Sequence, residues 1–270
     1  MQAVNTFSYV QNALSFIINS YNDIATWEAV TQRLGDFEER LVAIQKSGRA
    51  PQSIVIRRRG GTGIAVNRLD LDLPDGTPLL RRVAFAVDQG DALLITGPSG
   101  SGKSTLLRAI AGIWPFDRGS FRLGKGQIAF VPQRPYLPPG TLAEVLLYPN
   151  AGKMSVPMDL PAVLDQVGLG DLAEELDNVE NWSERLSLGE QQGIVFARIL
   201  LTKPKHLFLD EATSPLDETA ETHLLGLLRT QSWRPTVVSV GHGAVLRKFH
   251  EQTVDLAKFK PTQEAVVAQQ

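Results

Sequence analysis

Between residues 10 and 44 the apolar side chains recur in steps of three and four: Val10, Leu14, Ile17, Tyr21, Ile24, Trp27, Val30, Leu34, Phe37, Leu41 and Ile44. That spacing draws one apolar face on a helix. Residues 1–46 hold no proline and one glycine, Gly35, so the whole stretch is predicted helical. At 1.5 Å per residue such a helix could reach roughly 60 Å. Its apolar face suits a partner, although folding back on its own domain or pairing with a second copy would also cover it. Residues 47–53, Ser-Gly-Arg-Ala-Pro-Gln-Ser, carry linker chemistry.

From residue 54 the pattern changes. Short strand-like runs at 54–58, 64–71, 83–87 and 91–96 are followed by helical spacing at 104–111. Further apolar runs at 128–131, 206–210 and 236–240 alternate with helical stretches, the clearest at 191–201. Strands alternating with helices predict an α/β fold. Residues 54–256 form one expected domain and 257–270 an expected tail.

Composition narrows the function classes. Hydrophobic residues make up 43% and charged residues 21%, as in an ordinary globular protein. A net charge of -2 argues against a nucleic-acid partner. No cysteine is present, so disulfide and thiolate chemistry are excluded. The four histidines are scattered and make no zinc pattern. No secretory leader and no run of about 18 apolar residues is visible, so no complete membrane span is expected.

Three motifs carry chemistry. Gly97-Pro98-Ser99-Gly100-Ser101-Gly102-Lys103-Ser104 matches G-x-x-x-x-G-K-S between an apolar strand and a helix. Glycines let backbone N–H groups curl round phosphates, and the helix N-terminus adds a positive dipole. Lys103 can reach the β- and γ-phosphates, Ser104 can ligate Mg²⁺, and Thr105 can add a phosphate contact. A flexible surface loop would not need this flanking strand and helix. Downstream, His206–Asp210 is an apolar strand ending in Asp210-Glu211. Asp210 is placed to hold the Mg²⁺ shell and Glu211 to take a proton from attacking water. Such an ending is weak alone and strong after a phosphate loop. Leu186-Ser187-Leu188-Gly189-Glu190-Gln191-Gln192 forms the third, with Ser187 and Glu190 as a capping box opening a helix. In isolation this is an ordinary capped helix; as a second helix mouth it can also meet a phosphate.

Together these residues resemble the ATP-binding cassette superfamily, in which the third motif is the signature. Leu-Ser-Leu-Gly-Glu-Gln-Gln, Gly112-Ile113-Trp114-Pro115-Phe116 and Pro132-Gln133-Arg134-Pro135-Tyr136 resemble one branch. That branch contains the peroxisomal fatty-acyl transporters (subfamily D) and bacterial relatives near SbmA and BacA. The resemblance implies an ATP-binding core with a mixed sheet, an antiparallel β part from the early strands, and a helical lobe over about 140–187. It implies that Ser187, Leu188, Gly189, Glu190 and Gln191 cover the ATP held by a second copy's phosphate loop. It assigns Gln133 to Mg²⁺, water and the transmembrane partner, Asp217 to contact with the opposite copy, and His242 to the γ-phosphate. ATP and Mg²⁺ are the implied cofactors, and the cytoplasmic face of a membrane the implied location. Residues 1–46 resemble the end of a transporter's transmembrane domain.

Three positions depart from the family pattern. Leu73 stands where many cassettes stack an aromatic ring on adenine, Gly193 where this branch has arginine, and Pro215 where alanine is usual. Powering a transporter is the leading reading. A soluble cassette ATPase of DNA repair or translation, or an uncoupled transporter relic, are the alternatives.

Overall fold

The computed structural model describes residues 16, 21, 23–39, 41–42, 55–57, 63–114, 117–149 and 159–261. The expected linker at 47–53, the Pro115-Phe116 pair and residues 262–270 lie outside them. The chain divides into two units, Met1–Pro51 and Gln52–Gln270. In the first, residues 23–39 form helix α1, as the spacing predicts. Ile24, Trp27, Val30, Leu34, Phe37 and Leu41 are all exposed along it. Among the described residues no helix is long and apolar enough to cross a membrane.

The second unit opens with β1 (Val55–Arg57), β2 (Ile64–Asp72) and β3 (Pro78–Val87). Strand β4 (Ala92–Thr96) and helix α2 (Lys103–Ile110) follow, then β5 (Asp117–Leu123) and β6 (Ile128–Val131). The stretch expected as a helical lobe holds α3 (Leu142–Leu147), α4 (Leu160–Gln166), a 3₁₀ turn at Gly170–Glu175 and α5 (Trp182–Arg185). Two short strands, β7 (Gly140–Thr141) and β8 (Val179–Glu180), pair across its base. The remainder is α6 (Leu188–Thr202), β9 (His206–Asp210), α7 (Glu218–Thr230), β10 (Thr236–Val240), α8 (Ala244–Phe249) and β11 (Gln252–Asp255). A 3₁₀ turn at Leu256–Phe259 carries the described fold past the expected boundary at residue 256, because the Asp255 carboxylate caps it through the Ala257 N–H at 2.9 Å.

Two sheets form. One is four-stranded in the order β1-β5-β2-β3, with β2 antiparallel to both neighbours. The other is five-stranded, β11-β4-β10-β9-β6, and parallel throughout. The expected mixture of strand directions is thus divided, with the parallel sheet as the core. Parallel sheets are buried on both faces, so their strands read as unbroken apolar runs. Alternation then sorts the side chains. Ala92, Leu94, Leu207, Leu209 and Val237 face a core shared with Val145 of α3, Ile194–Leu201 of α6, and α7 and α8. Leu93, Ile95, Phe208, Val238 and Val240 face a second core with Leu106, Leu107 and Ile110 of α2 and the four-stranded sheet. Helices α2 and α6 therefore lie against opposite faces of the parallel sheet.

Helix α6 begins at the Ser187 capping box and ends at Lys203, which adopts φ 48 before Pro204. Glycine in a helix ordinarily costs about 1 kcal/mol relative to alanine. At Gly193 packing explains it: a Cβ there would lie 2.9 Å from Leu169 Cδ1. An arginine in that place has no room unless Leu169 moves.

His250 closes the first core. Its Nδ1 lies 2.6 Å from the Leu246 carbonyl and its Nε2 2.8 Å from Ser239 Oγ. A neutral ring satisfies both, donating at Nδ1 and accepting the serine hydroxyl at Nε2. Burial lowers its pKa to about 4. The unfolded histidine titrates near 6.5, so between those values the unfolded chain binds the extra proton. This contribution is complete above about pH 6.5 and is lost as pH falls towards 4. Urea unfolding at pH 7 and pH 5 should show a drop in wild-type stability exceeding that of His250→Gln by roughly 2 kcal/mol. Equal drops would contradict the neutral buried ring.

Candidate functional site

The parallel register decides which residues meet. Ile95 pairs with Val240, and Val240 with Asp210. On the other side of β9, Leu209 pairs with Val131. Within two residues of these positions the chain leaves the sheet at Gly97, Gly241-His242, Glu211 and Gln133. Four separate sequence segments thus emerge on one edge, at the carboxyl ends of adjacent strands, where open α/β sheets bind ligands.

The phosphate loop, Gly97 to Ser104 with Thr105 behind it, joins β4 to α2. Two glycines are demanded by geometry. Gly97 has φ 146, and a Cβ there would lie 2.8 Å from Ser101 Oγ. Gly102 caps α2 at φ 92, with Leu79 Cδ2 3.0 Å from where a Cβ would stand. The Ser101 N–H donates to the Pro98 carbonyl at 3.1 Å, tightening the turn through Ser99 and Gly100. Lys103 is buried, and its ammonium crosses the loop to the carbonyls of Gly97 (3.0 Å) and Pro98 (3.2 Å).

The carboxylates sit beside it. Ser104 Oγ donates to Asp210 Oδ1 at 2.8 Å, joining the first turn of α2 to the end of β9. Burial raises the Asp210 pKa, and the neighbouring Glu211 charge adds to this against the Ser104 hydrogen bond. Glu211 has a left-handed backbone, φ 51, held by its N–H on the Val240 carbonyl at 2.9 Å. Non-glycine residues in that region cost on the order of 1–3 kcal/mol and concentrate at functional sites. Gln133 Nε2 donates to Glu211 Oε2 at 3.3 Å. His242 is exposed on the loop after β10.

The signature segment is set apart. Ser187 Oγ accepts from the Glu190 N–H at 3.3 Å, and Glu190 Oε2 accepts from the Ser187 N–H at 2.8 Å and its hydroxyl at 2.7 Å. Leu188 is exposed at this helix mouth. Gln191 donates inward to the carbonyls of Leu186 (2.8 Å) and Ser183 (2.9 Å), so it braces α6 against α5. Gly189 lies against the Pro215 carbonyl, 3.7 Å from its would-be Cβ. The signature and the loop leading to Asp217 are therefore neighbours. Asp217 caps α7 through the Ala220 N–H at 2.8 Å. Helices α2 and α6 pack on opposite faces of the parallel sheet, so the phosphate loop at the mouth of α2 and the signature at the mouth of α6 do not share a face.

Two residues to which the motifs assigned no role also act here. Gln192 is wholly buried and donates to the Gln133 carbonyl at 3.0 Å. Arg198 donates from Nε to the Val145 carbonyl (2.8 Å) and from Nη1 to the Tyr136 carbonyl (2.9 Å). Burial lowers its pKa to about 10, which leaves it charged at neutral pH. For Arg198 a charged side chain within an otherwise apolar helical run was the available signal; Gln192 follows the polar Glu190 and Gln191, so nothing local marked it as buried.

The sequence model of the ABC transporter family matches residues 80–214. This chain belongs to the ABC transporter family. The match takes in the phosphate loop, Gln133, the signature, Asp210 and Glu211, while Asp217 and His242 lie beyond it. An uncharacterised ABC transporter ATP-binding protein of Synechocystis is 42% identical, over 94% of this chain and 40% of its own length. ABC transporter D family member 2 of Arabidopsis thaliana, a chloroplast protein, is 31% identical over 96% of this chain and 46% of its own. A human lysosomal cobalamin transporter is 34% identical over 72% and 34% respectively. Subfamily D is thus among the relatives, as the signature suggested, and the chain spans less than half the length of each. A solved bacterial Atm1-family ABC exporter with ATP bound shares the fold, with a TM-score of 0.65 at 24% identity over 84% of this chain and 43% of that one.

The ABC signature helix offers a direct stability test. Ser187→Ala removes the side-chain half of the capping box, which should lower unfolding free energy by about 1 kcal/mol. Chemical denaturation measures this, and an unchanged midpoint would show that the cap does not hold α6.

Proposed function

We propose that this chain binds and hydrolyses ATP with Mg²⁺ at a site completed by a second copy, and that hydrolysis powers a transporter at the cytoplasmic face of a membrane. The observation that carries the reading is the division of the machinery. Phosphate loop, carboxylates, Gln133 and His242 share one sheet edge, while the signature helix opens on the other face. A nucleotide bound at Lys103 in one copy can meet Ser187 only in another.

The donor set fits a hard divalent cation. Ser104 Oγ and Asp210 Oδ1, 2.8 Å apart, are oxygen ligands suited to Mg²⁺, and Gln133 can add its amide oxygen. When bound, the ion supplies charge neutralisation at the β- and γ-phosphate oxygens. The protein residues do the rest. Lys103 leaves the loop carbonyls for the β- and γ-phosphates, and the backbone N–H groups from Ser99 to Thr105 and the α2 dipole hold their oxygens. Glu211 accepts a proton from the water that Gln133 orients. The water oxygen bonds to the γ-phosphorus as its bond to the β–γ bridging oxygen breaks, giving ADP and phosphate. His242 steadies the γ-phosphate. Ser187, Leu188, Gly189 and Glu190 of the second copy close the site, and Asp217 contacts the opposite chain beside them; Gln191, expected among these contacts, is buried with its amide on the Leu186 and Ser183 carbonyls and supports the helix mouth from within.

Transport rests on the relatives. Their names describe ABC transporters, and they are more than twice as long as the matched part. The exposed apolar stripe of α1 suits a membrane-spanning partner. Domain limits of 1–46, 47–53, 54–256 and 257–270 follow from the same reading. The test is Glu211→Gln, which keeps shape and removes the base. It should abolish phosphate release, leave ATP affinity within about threefold, and accumulate an ATP-dependent dimer in size-exclusion chromatography. Wild-type turnover in this variant would refute the role of Glu211.

A further inference from the structure

Gln192 is a costly residue for its place. It is wholly buried in α6, two residues before the largely apolar stretch from Ile194 to Leu201. Its Nε2 donates to the Gln133 carbonyl at 3.0 Å and more weakly to that of Pro132 at 3.4 Å. Its Oε1 is buried with no partner among the described residues. A buried acceptor left unpaired is unfavourable, so packing alone favours an apolar side chain here. What the amide supplies is position. It ties the backbone of Gln133 to α6, and the Gln133 side chain in turn donates to Glu211 at 3.3 Å. Arg198, further along α6, holds the same loop at Tyr136.

We propose that Gln192 is a positioning residue that sets Gln133 against Glu211 and so makes hydrolysis depend on where the signature helix stands. The inference rests on the proposed ATPase function for its kinetic consequence, but the geometric link stands apart from it. Ser187 lies five residues before Gln192 on the same rigid helix, roughly 7.5 Å along its axis. A displacement of the helix mouth by a second copy's nucleotide is carried to the Gln133 carbonyl through the Gln192 amide alone. From there it reaches the pair that orients and deprotonates water.

The test is Gln192→Met in the full chain, which keeps length and volume and removes both polar atoms. Gln192→Leu removes the same polar atoms with a different apolar shape and guards against a repacking artefact. In both, kcat should fall about tenfold while the ATP dissociation constant stays within about twofold, since misplacement of a catalytic group by a fraction of an ångström costs on that scale. For Gln192→Met the melting temperature should be unchanged or higher. A residue that merely packs would leave kcat alone, or would lose ATP binding and melting temperature together; either outcome overturns the proposal. A crystal structure of Gln192→Met supplies the second readout. Gln133 should be displaced from Glu211, and an unmoved Gln133 overturns the link. If the wild-type chain releases no phosphate, the proposed function fails, and the crystal structure alone decides the role of Gln192.

Discussion

A parallel strand cannot return directly into its neighbour, so every strand of such a sheet is reached by a crossover that starts and ends on the same edges. Strands β4, β10, β9 and β6 are adjacent and parallel. Whatever follows each of them must emerge on one side, and the residues that follow are Gly97, Gly241-His242, Glu211 and Gln133. Burial on both faces holds the register: a slip of one residue would exchange Leu93 and Ile95 with Ala92 and Leu94 between two different cores. The chemistry of the site is therefore as secure as the apolar packing beneath it. The Ser104–Asp210 hydrogen bond, the left-handed Glu211 and the Gln133–Glu211 contact are local consequences of that arrangement.

The same sheet also imposes a division. Helix α2 packs on one face and α6 on the other, so the two helix mouths able to receive phosphate cannot share one. In the proposed function a monomer thus holds two half-sites of opposite kind, and joining two copies would complete each. Within one chain the halves communicate through α6, whose buried Gln192 grips the loop that carries Gln133. Gly193 beside it lets Leu169 approach closely, which packs α6 against the helical lobe.

Much of this was legible in the sequence where the signal was dense. Eight consecutive residues define the phosphate loop, and their flanking strand and helix follow from apolar runs. Strands β6, β9 and β10 have the limits expected because each is built on a short apolar run. The capping box at Ser187 and Glu190 forms as its spacing requires. Other parts were not readable. Strand β5 carries Asp117, Arg118, Gly119 and Arg122, and only Phe121 and Leu123 give it an apolar face, too short a pattern to register. Strand β3 begins five residues before the expected Val83 because β2 pairs Leu71 with Leu80 and Asp72 with Pro78, beyond Arg81 and Arg82. The strain at Glu211 and the inward turn of Gln192 depend on neighbours distant in sequence. Gly193 looked like a defect from helix propensity alone; tertiary contact with Leu169 overrides that preference.

The division of the site between two chains is tested most directly by mixing two inactive variants. Lys103→Ala destroys the phosphate loop and keeps the signature. Ser187→Arg keeps the phosphate loop and fills the signature mouth with bulk and charge. Steady-state phosphate release is measured for each alone and for the mixture, against total protein concentration. The account predicts negligible release from either variant and recovered release from the mixture, rising with concentration, because a mixed dimer holds one intact composite site. Full activity of Ser187→Arg alone, at concentrations where the chain is monomeric, would contradict it.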